Sequence, residues 1–232
     1  MTGICINPLM TMKRFFILLC LTLALAGCKK KNSDGFLEAF VVGYWACQEW
    51  TGTDGTTLTN PAYCIHPMRD HKVGVCFEGS ENGLYWTLKG NKLYIQDNHR
   101  EEEANNLAEI DLDQLSERYS SGTAYYANGT RVKASFINIS RLIPGTWKCS
   151  IGDKSYTVLI KWDEEDEMDA IWRTEGASEM DTEIRLSTGN GRVSLRVDHN
   201  YSTWDSFTIS EASDNELITT NSSSLPVKFV RQ

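Results

Sequence analysis

Two stretches of this sequence share one pattern: Gly43-Tyr44-Trp45-Ala46-Cys47 and Gly145-Thr146-Trp147-Lys148-Cys149 both read G-x-W-x-C, the second beginning 102 residues after the first. Each half also closes on an apolar run that ends in arginine, Phe136–Arg141 and Val227–Arg231. Self-similarity at a fixed distance is the signature of a repeated structural unit. The repeat therefore predicts two tandem domains, over residues 36–141 and 142–232.

The second half is a series of short strand-like segments. They are rich in β-branched and aromatic residues, are separated by turns such as Gly189-Asn190-Gly191, and recur about every 11 residues. In order they are GTWKCSI, SYTVLIKW, MDAIWRT, DTEIRLS, GRVSLRV, WDSFTIS, ELITT and PVKFVR. Apolar and polar residues alternate along them, so one face is apolar, and closing such a sheet on itself removes its exposed edges. This pattern predicts a small antiparallel up-and-down β-barrel.

The first half carries similar segments with insertions, and the whole chain is therefore predicted to be all-β. The predicted strands are Tyr44–Trp50, Val73–Phe77, Leu84–Leu88, Leu93–Gln96, Ala108–Leu115, Thr123–Tyr126 and Val132–Ile139. Between the first two lies a predicted loop of 22 residues, 51–72. Structureless loops of that length are usually functional or disordered. Two interpretations stay open for this one, a lid over a binding site and a tolerated surface insertion.

The N-terminal segment is built like a secretory signal: Lys13-Arg14 precedes the apolar run Phe15–Leu25, which is 11 residues long. That run is too short to cross a bilayer as a helix, which takes about 20 residues. It ends in Leu25-Ala26-Gly27-Cys28, which resembles the lipobox of bacterial lipoproteins. The resemblance implies removal of residues 1–27, lipidation of Cys28, a tether over 28–35, and attachment to the membrane through the lipid. Lys29 stands where that family carries Asp for inner-membrane retention, which implies the outer membrane.

Composition excludes several classes of protein. Of the 232 residues, 41% are hydrophobic and 23% charged, which is ordinary for a globular protein and excludes a wholly disordered or collagen-like chain. Lys and Arg number 23 against 31 Asp and Glu, a net charge of −8. Nucleic-acid binding needs a basic face, so no nucleic-acid partner is expected.

The Gly-x-Trp at the start of each first strand, the up-and-down run of strands and the terminal arginine together resemble the lipocalin-like domains of bacterial lipoproteins. The resemblance covers nearly the whole chain after the signal, once per half. It implies two lipocalin-like barrels, each closed by an arginine lying across a tryptophan, Arg141 on Trp45 and Arg231 on Trp147. It also implies that the 51–72 loop lies over the mouth of the first barrel.

The first barrel is the better candidate for a ligand site. Four aromatic side chains are predicted to line or border its mouth: Trp50, Tyr63, Trp86 and Tyr94. The second barrel is expected to be filled, because six large rings compete for its interior and protein interiors pack densely. These rings belong to Trp147, Tyr156, Trp162, Trp172, Phe207 and Phe229.

The remaining reactive residues indicate structure rather than chemistry. Cys64 and Cys76 are predicted to form a disulfide that holds the long loop, with Cys47 as a rival partner. The spacing of Cys64, His66, His71 and Cys76 matches no standard zinc pattern, so neither a metal nor a cofactor is expected. The sequence shows no catalytic motif, and no enzyme is predicted.

We expect a lipid-anchored envelope binding protein that holds a small apolar ligand in the first barrel. The alternative is a structural component with solid, ligand-free barrels that binds an envelope protein partner.

Overall fold

A computed structural model describes residues 38–77, 79–100, 103–162, 168–174, 180–199 and 203–232. The predicted signal peptide, the tether and Cys28 lie outside these residues. The elements, in chain order, are β1 (Trp45–Thr51), β2 (Thr57–Thr59), β3 (Cys64–Pro67), β4 (Lys72–Phe77), β5 (Gly79–Lys89), β6 (Lys92–Gln96), β7 (Asn106–Leu115), β8 (Tyr119–Tyr126), β9 (Arg131–Asn138), α1 (Ile139–Leu142), β10 (Gly145–Ile151), β11 (Lys154–Trp162), β12 (Met168–Thr174), β13 (Met180–Gly189), β14 (Arg192–His199), β15 (Thr203–Ala212), β16 (Glu216–Asn221) and β17 (Pro226–Arg231).

Strands β10–β17 form an antiparallel closed barrel, as the sequence predicted. Each strand pairs with the next, and β17 returns to pair with β10, placing Arg231 opposite Trp147 and Phe229 opposite Cys149. Three of the predicted segments match a strand residue for residue, those of β10, β12 and β17. The alternation of apolar and polar residues was therefore sufficient to locate the strands of this half.

The interior of the closed barrel is filled by large side chains. Phe207 and Phe229 pack edge to face with ring centroids 5.5 Å apart, and both are almost fully buried. Trp147 is fully enclosed, and Tyr156 packs against the same core at its edge. The side chains of Trp162 and Trp172 lie outside the described part of the structure. Of the six rings expected inside, the described ones thus fill the core or border it.

Strands β1–β9 form a curled sheet whose last strand returns to its first. From β3 onwards each strand pairs antiparallel with the next, and β9 pairs with β1 along the whole length of β1, from Trp45 opposite Asn138 to Thr51 opposite Lys133. The other edge of β1 is shared between β3, where Ala46 lies opposite Cys64, and β2, where Trp50 lies opposite Leu58. Both edges of β1 are therefore hydrogen-bonded.

The 51–72 segment differs from the structureless loop expected from the sequence, because it contains β2 and β3. Asn60 adopts a left-handed backbone conformation, with φ of 46°, in the turn between these strands, and its amide donates to the carbonyl of Gln48 at 2.7 Å. Unpaired strand edges are costly, and β2 and β3 satisfy the edge of β1 that β9 leaves open. Pairing with a distant strand cannot be read from the local sequence, which explains the difference.

The run Phe136–Arg141 is not one strand, contrary to its appearance in the sequence. Strand β9 ends at Asn138, and the chain then makes the single helical turn α1. Ile139, Leu142 and Ile143 have the i, i+3, i+4 spacing of one helix face, and all three are fully buried in the core that includes Trp147. Burial of that face outweighs the strand preference of the β-branched residues, and Arg141 lies in α1 rather than on the last strand.

Residues Phe40–Gln232 form one compact unit. The predicted domain boundary between 141 and 142 falls inside α1, whose buried face connects the two sheets. A polar contact adds to this connection: Asp214, in the turn between β15 and β16, accepts hydrogen bonds from Arg118 Nη1 at 2.8 Å and from the Tyr119 hydroxyl at 2.7 Å. In the described part of the chain no helix combines the length and apolar character needed to cross a bilayer.

The Asp214 contact predicts a small pH dependence of stability. The Tyr119 hydrogen bond first, and then Arg118, lower the pKa of Asp214 below its ordinary value of 3.8. A carboxylate with a lowered pKa in the folded state contributes stability that is fully present above its ordinary pKa and is lost as the pH falls through its folded pKa. The Asp214 side chain is half exposed, so solvent screening limits this contribution to less than about 1 kcal/mol.

We therefore expect the unfolding free energies of the wild type and of Asp214→Asn to differ at pH 7 and to converge as the pH falls through the lowered pKa of Asp214, below its ordinary value of 3.8. Urea titrations at several pH values measure both curves. Tyr119→Phe keeps the carboxylate and removes its first hydrogen bond, so its curve should lie between the other two. Wild-type and Asp214→Asn curves that stay parallel down to the lowest pH would contradict this assignment.

Candidate functional site

The curled sheet holds a partly open apolar cavity in two adjoining parts. The larger part has a volume of about 370 Å³, and a smaller part of about 50 Å³ shares five lining residues with it: Trp50, Tyr63, Ile65, Ile110 and Tyr126. The larger part is further lined by Leu84, Ile95, Leu107, Ala108, Asn128 and Thr130. Its volume lies in the range of sites for small organic ligands, which are concave and mostly apolar with a few polar groups. We call these two parts together the sheet cavity.

Small side chains on neighbouring strands create this space. Along β8, Gly122 and Ala124 face the interior opposite Leu112 and Ile110 of β7, and on β9 the interior position opposite Trp50 is Ala134. Glycine is required at position 122, because a Cβ there would overlap the backbone carbonyl of Asp111. Counted from the paired tryptophans, the closed barrel carries the larger residues Thr219 and Val227 at the positions that correspond to Gly122 and Ala134. The two sheets thus differ in residue volume, and this difference leaves one hollow and the other filled.

A β-bulge turns Trp50 towards the sheet cavity. In the pairing of β1 with β9, Cys47 lies opposite Phe136 and Glu49 opposite Ser135, so Gln48 is the extra residue. Without the bulge, Trp45 and Cys47 would be followed on the inner face by Glu49, because side chains alternate along a strand. The bulge reverses this phase, and Trp50 packs edge to face against Tyr63 with ring centroids 5.0 Å apart.

Tyr63 is held in place by the backbone on both sides. Its carbonyl accepts the amide of Cys47 at 2.9 Å and its own amide donates to the carbonyl of Pro61 at 2.8 Å. Its ring lies 5.9 Å from that of Phe136, centroid to centroid. The side chain is half-buried, and its hydroxyl interacts with that of Tyr126.

This pair of hydroxyls is one of two polar pairs that line the sheet cavity. Burial, followed by the interaction with Tyr126, raises the pKa of Tyr63 well above its ordinary value of 10. Burial also raises the pKa of Tyr126, while its hydrogen bond with Tyr63 acts in the opposite direction. Both tyrosines therefore keep their protons at neutral pH. A second polar pair, Asn128 and Thr130, lines the larger part of the cavity, and the Asn128 side chain accepts the Thr130 amide at 2.9 Å.

Two of the four predicted mouth residues line the sheet cavity and two do not. Trp50 and Tyr63 are lining residues, whereas Trp86 is buried elsewhere, its Nε1 donating to the carbonyl of Met68 at 2.9 Å. Tyr94 alternates with the buried Leu93 and Ile95 and so lies on the other face of β6. Tyr126, Ala108 and Ile110 were missed, although apolar alternation along β7 was a signal for the last two.

The closure predicted for the second half is present in the closed barrel. The Arg231 guanidinium lies over the Trp147 ring, 4.3 Å from its centroid. The same guanidinium donates from Nη1 to the carbonyl of Pro144 at 3.0 Å, from Nη2 to that of Leu142, and from Nε to that of Asp214 at 2.6 Å. Gly145, with φ of 135°, passes directly beneath it, and a Cβ there would overlap Nη1.

In the curled sheet, Asn138 stands where Arg141 was expected. Asn138 pairs with Trp45 as Arg231 pairs with Trp147, and its side chain donates to the carbonyl of Val42 at 3.3 Å. A Cβ on Gly43 would lie 2.6 Å from Asn138 Oδ1. The indole of each tryptophan donates to the carbonyl four residues earlier, at 2.7 Å in both halves. The two halves therefore share the backbone geometry around the glycine and the tryptophan. The polar residue opposite the tryptophan differs, being Asn138 in the first half and Arg231 in the second.

The cysteines and histidines of the first half have structural surroundings. Cys64 and Cys76 are directly opposite each other on β3 and β4. Opposite residues have Cα atoms about 4.5 to 5.5 Å apart, which suits a disulfide, and the bond between them stays a prediction.

Cys47 donates from its thiol to the carbonyl of Glu49 at 3.3 Å, and burial raises its pKa to about 12. His66 stacks on Tyr44, and burial lowers its pKa to about 4. Among the described residues no group of three or more His, Cys, Asp or Glu is arranged to hold a metal ion.

No protein-family model and no curated protein matches this chain.

Proposed function

We propose that this protein binds a small apolar ligand in the sheet cavity. The observation that carries the proposal is the contrast between the two sheets, since one interior is closely filled and the other keeps an apolar space of about 370 Å³. An apolar space inside a sheet has a cost, because its lining loses packing contacts. Burial of an apolar ligand recovers those contacts, which supports a binding role for this space.

The proposal extends to architecture and place in the cell. The curled sheet and the closed barrel are tandem lipocalin-like domains, and the repeated glycine and tryptophan geometry supports this assignment. The N-terminal sequence supports lipidation at Cys28 and attachment to the bacterial outer membrane. No enzymatic activity is part of the proposal.

Filling the sheet cavity tests the proposal. Ala108 lies on β7 opposite Tyr126 and lines the larger part, so an indole placed there by Ala108→Trp occupies the space that a ligand needs. We expect the purified wild type to bind N-phenyl-1-naphthylamine, a neutral apolar dye whose fluorescence rises in apolar surroundings. Ala108→Trp should weaken this binding at least about tenfold, which corresponds to 1.4 kcal/mol.

Asp113→Trp is the matched control, because Asp113 is exposed on the same strand. It should bind the dye like the wild type. Circular dichroism establishes that both variants are folded. Equal dye binding by Ala108→Trp and the wild type would show that the dye enters elsewhere and would exclude the sheet cavity as its site.

A second candidate function is that of a structural component binding a protein partner in the envelope. The outer face of the closed barrel favours it, because a wide depression of about 740 Å³ there is lined by Lys148, Arg173 and Lys228 in a chain that is acidic overall. Native mass spectrometry of the purified protein separates the two functions. A bound molecule released on unfolding supports the ligand site, whereas a bare mass together with absence of dye binding supports the structural role.

A further inference from the structure

The two parts of the sheet cavity follow each other along the strands. On β7, Leu107 lines the larger part, Ile110 lines both parts and Leu115 lines the smaller part. The neighbouring strand β6 has the same order, with Ile95 in the larger part and Leu93, opposite Ile110, in the smaller. The sheet cavity is therefore one elongated space whose long axis runs along the strands.

The two ends of this space differ in their exposure to solvent. At the end of the larger part, Asn128 and Thr130 line the cavity from the turn between β8 and β9, and both residues are exposed. At the end of the smaller part, the lining includes Val41 and Trp45, which are only 3% and 2% exposed. The end beside the β8–β9 turn is therefore the entrance, and the end near Trp45 is closed by apolar side chains.

The entrance carries neutral polar groups that both donate and accept hydrogen bonds. The side-chain oxygen of Asn128 accepts the Thr130 amide at 2.9 Å, so the side-chain nitrogen, with its two hydrogens, is the donor of this group. Thr130 adds a hydroxyl, which can donate or accept. An uncharged polar group such as an amide or an alcohol matches both side chains.

The charge of the lining restricts the ligand further. Among the described lining residues there is no Lys, Arg, His, Asp or Glu. An ion that leaves water without meeting an opposite charge has a large free-energy cost. A carboxylate drawn to the entrance would lose part of its hydration without gaining a countercharge, whereas a neutral polar group loses less. The entrance thus favours a neutral polar group over an ionised one.

We propose that the sheet cavity takes an uncharged amphiphile end-on. The apolar chain of this ligand lies along the space towards Trp45, and its polar group, an amide or a hydroxyl, hydrogen-bonds with Asn128 and Thr130 at the entrance. This inference rests on the proposed function, because it names the class and the orientation of the ligand in the same site.

A positive charge placed at the entrance tests the inference. Thr130 holds the turn through its backbone, whose carbonyl accepts the Tyr126 amide at 2.9 Å and whose amide donates to Asn128, and Thr130→Arg keeps both bonds. The probes are decanamide and decanoate, which have the same number of heavy atoms and differ in charge at neutral pH. Each is titrated as a competitor of N-phenyl-1-naphthylamine.

We expect the wild type to bind decanamide more tightly than decanoate, because its entrance has no countercharge for the carboxylate. Thr130→Arg should bind decanoate about fivefold more tightly than the wild type does, since the guanidinium then lies beside the carboxylate. Its affinity for decanamide should stay within about twofold of wild type.

Thr59→Arg is the matched control, because Thr59 is exposed on β2 and is not among the described lining residues. It adds the same charge and should leave both affinities unchanged. If Thr130→Arg leaves decanoate binding unchanged, or if Thr59→Arg strengthens it equally, the polar group does not lie at the entrance and the inference is overturned. Equal binding of the two probes by the wild type would also overturn it. In each case the dye still binds and the proposed function stands, whereas a wild type that does not bind the dye at all contradicts the proposed function and this inference together.

Discussion

Arg231→Met should lower the free energy of unfolding by about 2 to 4 kcal/mol. Methionine keeps much of the side-chain length and its apolar contact with Trp147, but it has no donors. The carbonyls of Leu142, Pro144 and Asp214 then lose their hydrogen bonds together, and the cation–π contact at 4.3 Å is also lost. Two of these carbonyls belong to the connection between the sheets, so that connection should loosen first. Denaturant unfolding followed by tryptophan fluorescence measures the change.

Arg118→Met is the control for this prediction. Arg118 is about half exposed, and its guanidinium bonds to the side chain of Asp214 rather than to buried carbonyls. An exposed ion pair contributes less than about 1 kcal/mol, so this variant should remain close to wild type. If both variants lost the same unfolding free energy, Arg231 would stabilise the protein through its charge alone. Its hydrogen bonds to the three backbone carbonyls would then contribute nothing.

The strands of the closed barrel could be predicted from the local sequence, whereas the sheet cavity could not. Alternation such as Val193, Leu195 and Val197 places each strand of the barrel before its partners are known. The sheet cavity depends on which residues meet across strands: Ala134 becomes a cavity residue only because β9 places it opposite Trp50. Such pairings are fixed by the whole sheet, and a shift of one residue would turn every side chain to the other face.

Two of the three misplaced site residues, Tyr94 and Arg141, have the same physical origin for their error. Tyr94 was selected for its aromatic ring, whereas the strand phase places it on the other face of β6 from the buried Leu93. Arg141 was selected as the counterpart of Arg231, but Asn138 holds the register position opposite Trp45. In both cases residue type was a weaker guide than register. The position of Trp50 on the lining of the sheet cavity depends on the bulge at Gln48, for which the local sequence carries no clear signal.

Gly191→Ala should destabilise the protein by about 2 to 5 kcal/mol and should also weaken dye binding in the sheet cavity. Gly191 lies in the turn between β13 and β14 of the closed barrel, with φ of 70°. A Cβ at this position would overlap the backbone carbonyl of Ala62, the residue before Tyr63. The turn of the closed barrel therefore supports the segment that positions Tyr63, and pushing that segment away changes the sheet cavity without altering any residue that lines it.

Gly152→Ala separates this contact from backbone strain. Gly152 also lies in a turn of the closed barrel, with φ of 63°, and a Cβ there would have nothing within 4 Å. Both substitutions incur the cost of a left-handed alanine, about 1 to 2 kcal/mol, and Gly191→Ala alone adds the overlap, about 1 to 3 kcal/mol. Dye titration then tests whether Gly191 supports the ligand site, a question that stability measurements do not answer. Weaker binding by Gly191→Ala with unchanged binding by Gly152→Ala makes the closed barrel a support for the ligand site, and unchanged binding in both would confine the role of Gly191 to stability.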